Sequence, residues 1–160
     1  MGDAEHLSLA TQAIVTKSAP SGSGGGDTSG ATRTVDEVVD TLRARGVHDA
    51  LIELPGAARA LGTSLGGETW SLPLPDPIER IAAIGRLRLA GGQALATALA
   101  KTSQGLIGVA VVAGDARAAT LWSARLIALD PGEARMTARQ HVEIAAVLVE
   151  ARADGPPVIW

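Results

Sequence analysis

From residue 34 onward the spacing of apolar positions changes several times, and each change marks an element. Val35, Val38, Val39 and Leu42 recur at helical spacing on one face. Thr34 with Glu37 three positions on predicts a capping box at the start of this helix, and Gly46 supplies its stop. Ala50 to Leu54 reads as a strand, Pro55-Gly56 breaks it, and Arg59 to Gly62 returns as a second. Thr69 to Leu72 alternates as a strand that the Pro73 to Pro77 cluster ends. Ile78 to Ile84 predicts a helical turn or two. Arg86 to Leu89 alternates as a half-exposed strand, with Ala94 to Ala98 as its neighbour across Gly91-Gly92.

Leu106 to Val112 is an unbroken apolar run rich in β-branched residues, the pattern of a central strand buried on both faces. Asp115 opens a helix through Leu129, with Ala119, Trp122, Leu126 and Leu129 near one face and Trp122 as a core anchor. Pro131-Gly132 ends it. A short helix from Glu133 to Arg139, a buried strand from Val142 to Val149 and an edge strand at Val158-Ile159-Trp160 complete the chain. This order predicts an α+β fold, a mostly antiparallel sheet with helices packed on one side.

Upstream the pattern fails. Ala19 to Ala31 is almost wholly Ser, Gly, Pro, Thr and Asp, too polar to bury surface and order itself. The expected organisation is an N-terminal arm at 1–18, a flexible linker at 19–33 and one domain at 34–160. Within the arm, Leu7 to Ser18 is apolar enough for a strand or short helix docked on the body. The glycine run is not followed by Gly-Lys-Ser/Thr, so it does not read as a phosphate loop.

Composition narrows the chemistry. The 160 residues suffice for one domain. Phe, Tyr and Cys are absent and hydrophobic residues make up 46%, so the core must be small-grained and aliphatic. A net charge of −3 with mixed signs and no aromatic platform argues against nucleic acid. The chain as given starts without a signal peptide and reads as cytoplasmic or as a mature form, which leaves peripheral association with a membrane complex open. No apolar run is long enough for a transmembrane segment. His6, His48 and His141 are scattered, and His141 with Glu143 reads as a polar pair at the start of a strand rather than as metal ligands. Asp36, Glu37 and Asp40 read as a solvated face stabilised by the helix dipole. The pairs Arg43/Arg45 and Arg86/Arg88 read as surface charge. No serine sits in a nucleophile elbow, so no catalytic residue and no metal ligand is assigned. The terminal Val-Ile-Trp makes Trp160 a candidate contact with another protein subunit.

Taken together, the helix from Thr34, Ala50-Leu51-Ile52-Glu53-Leu54-Pro55-Gly56 and Arg59-Ala60-Leu61-Gly62 resemble the ApbE family of FAD:protein FMN transferases. There a similar helix leads to a strand ending in Gly-Gly-Asp and then an Arg-Ala-Leu-Gly strand. Trp70, Asp76-Pro77, Gly92-Gln93-Ala94-Leu95-Ala96-Thr97, the Gly105 to Ala113 strand and the Asp115 to Leu129 helix continue the match. Ser29 to Thr34 is similar to the family's Gly-Gly-Ile-Ala-Lys-Gly, with Arg33 at the lysine position. The resemblance covers about four-fifths of the chain, corresponds to the C-terminal half of a family member, and implies an ApbE-like, T-fold-like single domain.

The departures bear on function. The family's Mg²⁺-binding Asp and Thr, one helical turn apart, match Thr120 and Ala124 here. Gly-Gly-Asp reads Pro55-Gly56-Ala57, and the Ser-Gly after Thr97 reads Ala98-Leu99. The family's His-Ile-Ile-Asp-Pro-Arg-Thr-Gly stretch is missing, with Ala100 to Gln104 joining the two strands as a short hairpin loop. Gly56 and Thr97 are the residual flavin-pocket positions that the resemblance implies. It leaves three readings: a non-catalytic accessory or structural subunit, a pseudoenzyme of a redox or flavoprotein complex needing no cofactor; an active flavin transferase using FAD and Mg²⁺; and a carrier with residual flavin binding.

Overall fold

A computed structural model describes residues 13–16, 28–79, 82–100, 105–153 and 155–160, with side chains from Val35 onward. The elements are β1 (Ala13–Thr16), α1 (Thr28–Ala44), β2 (Ala50–Leu54), β3 (Ala57–Leu61), β4 (Trp70–Pro75), β5 (Ala83–Leu89), β6 (Ala94–Leu99), β7 (Gly105–Ala113), α2 (Ala116–Ile127), α3 (Pro131–Gln140), β8 (Ala145–Ala151) and β9 (Val158–Ile159). Seven strands form one sheet in the order β1-β2-β3-β6-β7-β8-β9, and β4-β5 form a separate hairpin. Every pair is antiparallel except β1 with β2. The fold is α+β, with three helices on one face of the large sheet.

The strand alternation sorts side chains between the two faces. On one, Ala50, Ile52, Ala57, Leu61, Ala94 and Ala96 meet Val35 and Val39 of α1 and Ala116 and Ala119 of α2. Further along, Leu106, Val109, Val111 and Leu148 meet Leu126 and Ala134. Alanines on both sides let the helices approach closely, which is how a chain without Phe or Tyr fills its core. On the other face Leu51, Ala58, Ala60, Leu95 and Ala110 are covered by the hairpin through Trp70, Leu72, Leu74 and Leu89. Trp70 donates its indole N–H to the Leu61 carbonyl at 3.1 Å, which removes the cost of burying it. β7 lies between β6 and β8 and is buried almost throughout, as its unbroken apolar run predicted.

Several expectations need correction. The helix expected to start at Thr34 starts at Thr28, so Thr34 lies inside it and does not cap it, and the last part of the expected 19–33 linker is helical backbone. A helix anchored by fully buried Val35 and Val39 extends backward through Gly30 at a cost of about 1 kcal/mol. Residues 19–27 of the linker and the first part of the arm lie outside the described residues; within the arm, β1 pairs with β2.

Residues 94–98 do not pair with β5. β6 joins β3 and β7, and β5 pairs only with β4. Between them the chain docks on the end of β3, with Gly92 N–H to the Ala60 carbonyl at 2.8 Å and Ala60 N–H to the Gln93 carbonyl at 2.9 Å. A Cβ on Gly91 would stand 2.6 Å from the Gly62 carbonyl oxygen, so this crossing requires glycine. β4 runs on through Pro73 and Pro75 because a two-stranded hairpin leaves each strand a free edge, where a proline forfeits no ladder bond. No helix forms among the described residues between Ile78 and Ile84. Trp122 sits at the margin of the core rather than anchoring it, partly buried, with its ring 4.2 Å from that of His141. His141 and Glu143 precede β8 in a turn rather than starting a strand.

Candidate functional site

The Pro55-Gly56 break becomes a tight turn between β2 and β3, with Gly56 at a φ of 81°, a conformation favouring glycine. Register then brings Gly56 and Thr97 together. Ala57 lies opposite Ala96, and the Thr97 amide donates to the Gly56 carbonyl at 3.0 Å. Both residues line a cleft of about 140 Å³ between the sheet and β4, walled by Leu72, Pro73 and Pro75. Glu53 and Thr97 supply its polar side chains, and Leu54 and Leu95 part of its apolar lining. Such a cleft falls short of the roughly 300–1,000 Å³ of ordinary small-molecule sites. It has room for part of a ligand the size of a flavin dinucleotide.

On the opposite face, the region under α1 and the start of α2 is closed. Asp36, expected on a solvated surface, lies well inside α1 and accepts from Arg59 Nη1 at 2.7 Å, the Ala116 amide at 3.2 Å and the Arg117 amide at 3.3 Å. Its side chain is 21% exposed and that of Arg59 13%. The sequence reading of Asp36 as solvated is therefore wrong. Glu37 and Asp40 are exposed. Asp115 caps α2 through the Ala118 amide at 2.7 Å. Two carboxylates thus occupy the amides at the start of α2, and a phosphate finds no free helix end there.

A sequence signal for this tie existed. Arg59 interrupts the apolar strand Ala57–Leu61 at a position in phase with Ala57 and Leu61, which face the helices. A cation there needs a carboxylate from the helix layer.

Thr120 and Ala124 lie on α2, one turn apart. A hydroxyl and a methyl are poor ligands for a hard divalent cation, which prefers carboxylate and carbonyl oxygens. No group of three acidic or histidine side chains suited to a metal occurs among the described residues. This donor set does not fit Mg²⁺. His48 is exposed, and His141 Nδ1 lies 2.8 Å from Glu143 Oε1; His6 is outside the described residues. Arg43 pairs with Asp40, and Arg86 with the Ser71 hydroxyl and carbonyl.

Trp160 is half exposed, with its backbone paired to Leu148. Its indole N–H donates to Glu150 Oε2 at 3.1 Å, and the Arg135 guanidinium lies 4.4 Å over its ring. No helix among the described residues is long and apolar enough to cross a membrane.

With this geometry in place, the model of the ApbE family matches residues 28–98, the segment that builds α1, the β2-β3 turn, the hairpin and β6. The chain is ApbE-like. It is similar in structure to the apo form of the Pseudomonas stutzeri flavinyl transferase ApbE, with a TM-score of 0.68 at 24% identity over 83% of this chain and 50% of that one. The Vibrio cholerae flavin transferase ApbE aligns with a TM-score of 0.61 at 18% identity, over 81% of this chain and 47% of that one. The Thermotoga maritima ApbE protein aligns with a TM-score of 0.64 at 17% identity, over 75% and 46%. The ApbE-like chain thus spans about half the length of these structures. No curated protein matches it.

Proposed function

We propose that this ApbE-like domain is a non-catalytic binding or structural accessory subunit of a larger protein assembly, of the redox or flavoprotein kind. What supports the proposal is the pair Thr120 and Ala124 on α2, which the resemblance to the ApbE family aligns with that family's metal-binding Asp and Thr. ApbE-type transfer moves the FMN part of FAD onto a protein hydroxyl. Metal charge stabilisation lowers such a phosphoryl-transfer barrier by several kcal/mol. Without it, the scaffold is left with recognition.

The test is incubation of the protein with FAD, Mg²⁺ and a flavin-acceptor protein, followed by intact mass measurement of the acceptor. The expected result is an unmodified acceptor. An acceptor heavier by one FMN contradicts the proposal and reinstates transferase activity.

A second reading, residual flavin binding, is favoured by one observation: Gly56 and Thr97 line the same cleft. On that reading excess FMN or FAD raises the melting temperature, and Thr97→Val diminishes the rise. An unchanged melting temperature removes it.

A further inference from the structure

The groove between α3 and the β8-β9 edge is chemically unlike the cleft under the hairpin. It measures about 180 Å³ and is lined by Arg135, Ala138, Arg139, Ala146, Leu148 and Trp160. Arg135 and Arg139 are one helical turn apart and so lie along one side of α3. Their charges are used differently. Arg135 is committed, with Nη1 3.0 Å from Glu150 Oε2 and its guanidinium over the Trp160 ring. Glu150 is in turn held by the Trp160 indole N–H. Arg139 is exposed and has no hydrogen bond, ion pair or ring contact among the described residues. The groove therefore combines one balanced pair, one guanidinium in the last turn of α3 with no side-chain partner among the described residues, an aromatic ring fixed by its neighbours and an alanine-leucine lining.

We propose that this groove is a binding site for a carboxylate carried on a flat or apolar body, such as a small aromatic acid. The carboxylate takes two parallel hydrogen bonds from the Arg139 guanidinium, whose planar fork matches its geometry. The apolar body lies against Ala138, Ala146 and Leu148, beside Trp160. The charge balance favours a monoanion over a polyphosphate: Arg135 is shared between Glu150, 3.0 Å away, and the charge of Asp130 at the start of α3, and these carboxylates would repel additional negative charge. Arg135, stacked and paired, holds Trp160 in place as a wall and is a positioning residue.

The experiment follows the three indole N–H resonances of ¹⁵N-tryptophan-labelled protein during titration with benzoate and with its neutral counterpart benzamide, the Trp160 resonance being assigned from Trp160→Phe. Benzoate is expected to shift the Trp160 resonance to saturation and leave that of Trp70, buried under the hairpin, unmoved. Benzamide is expected to produce no comparable shift. Arg139→Ala should weaken benzoate about tenfold, the effect of losing a charge-assisted pair, whereas Arg86→Ala on the distant hairpin should change nothing. Because Arg139 is exposed and unpaired, its variant is expected to melt with the wild type, and a matching melting temperature checks that. Equal shifts with benzoate and benzamide, an absence of saturation, or undiminished binding by Arg139→Ala would each overturn the proposal.

Discussion

The two faces of the large sheet are built on opposite principles. Under α1 and the start of α2 the helix face is closed: small side chains interlock, and the carboxylate of Asp36 ties α1, β3 and the start of α2 together. The hairpin face is covered by a single two-stranded ribbon, with a cleft left beside Gly56 and Thr97 between the sheet and Leu72, Pro73 and Pro75 of β4. Both faces bury an apolar cluster, and on the second the cleft beside Gly56 and Thr97 leaves room for recognition. The difference also shows why the identity of the residues at 120 and 124 bears little on the fold. Thr120 and Ala124 sit on a helix that is docked through other residues, namely Ala116, Ala119, Ser123 and Leu126.

This contrast can be broken first at its closed face. Ile52 is fully buried between the sheet and α1, and Ile52→Ala should cost about 3 kcal/mol, from lost transfer energy plus an unfilled cavity. Thr97→Val, on the open face, should stay within about 1 kcal/mol of wild type. Urea denaturation of both variants compares the faces directly, and equal losses would dissolve the distinction.

Next in size is the tie itself. Asp36→Ala leaves the Arg59 guanidinium without its carboxylate and two amides of α2 without an acceptor. About 2 kcal/mol should be lost, less than for a fully buried pair because both side chains retain some solvent. Asp36→Asn, which can still accept from the amides, should recover part of that loss. Smaller again, Trp70→Phe removes the indole donor to the Leu61 carbonyl while keeping the ring's burial, and should cost about 1 kcal/mol.

The smallest effect is one of pH. Glu143 is held below its ordinary value of 4.5, first by its own backbone amide and then by the hydrogen bond from His141. Its folded-state value lies below the unfolded one, so its stabilisation is complete above pH 4.5 and drains away as pH falls through the depressed value. Glu143→Gln should flatten that acid limb of the melting temperature and leave the neutral plateau nearly unchanged.

Much of this was legible from spacing alone. The apolar run from Leu106 announced the central strand, and Asp115 announced the α2 cap, because both depend on local pattern. The β2-β3 turn followed from Pro55-Gly56 for the same reason. Legibility failed where partners are distant in sequence. The pairing of β6 with β3 rather than β5 depends on Gly91 meeting Gly62, a contact between backbones that no side-chain pattern records. Asp36 looked like one surface acid among three until Arg59 was placed behind it. Gly56 and Thr97 were picked out by resemblance, and only the register of β3 on β6 makes them neighbours.

A domain that recognises but does not transfer has no use for a catalytic metal. Mn²⁺ takes the oxygen-rich octahedral sites that Mg²⁺ takes and is visible by electron paramagnetic resonance. Titrating Mn²⁺ into the protein in the presence of excess FAD should give the same free-ion signal as titration into FAD alone. Loss of signal saturating at one Mn²⁺ per chain would contradict the account, because it would mean that this chain still completes a metal site.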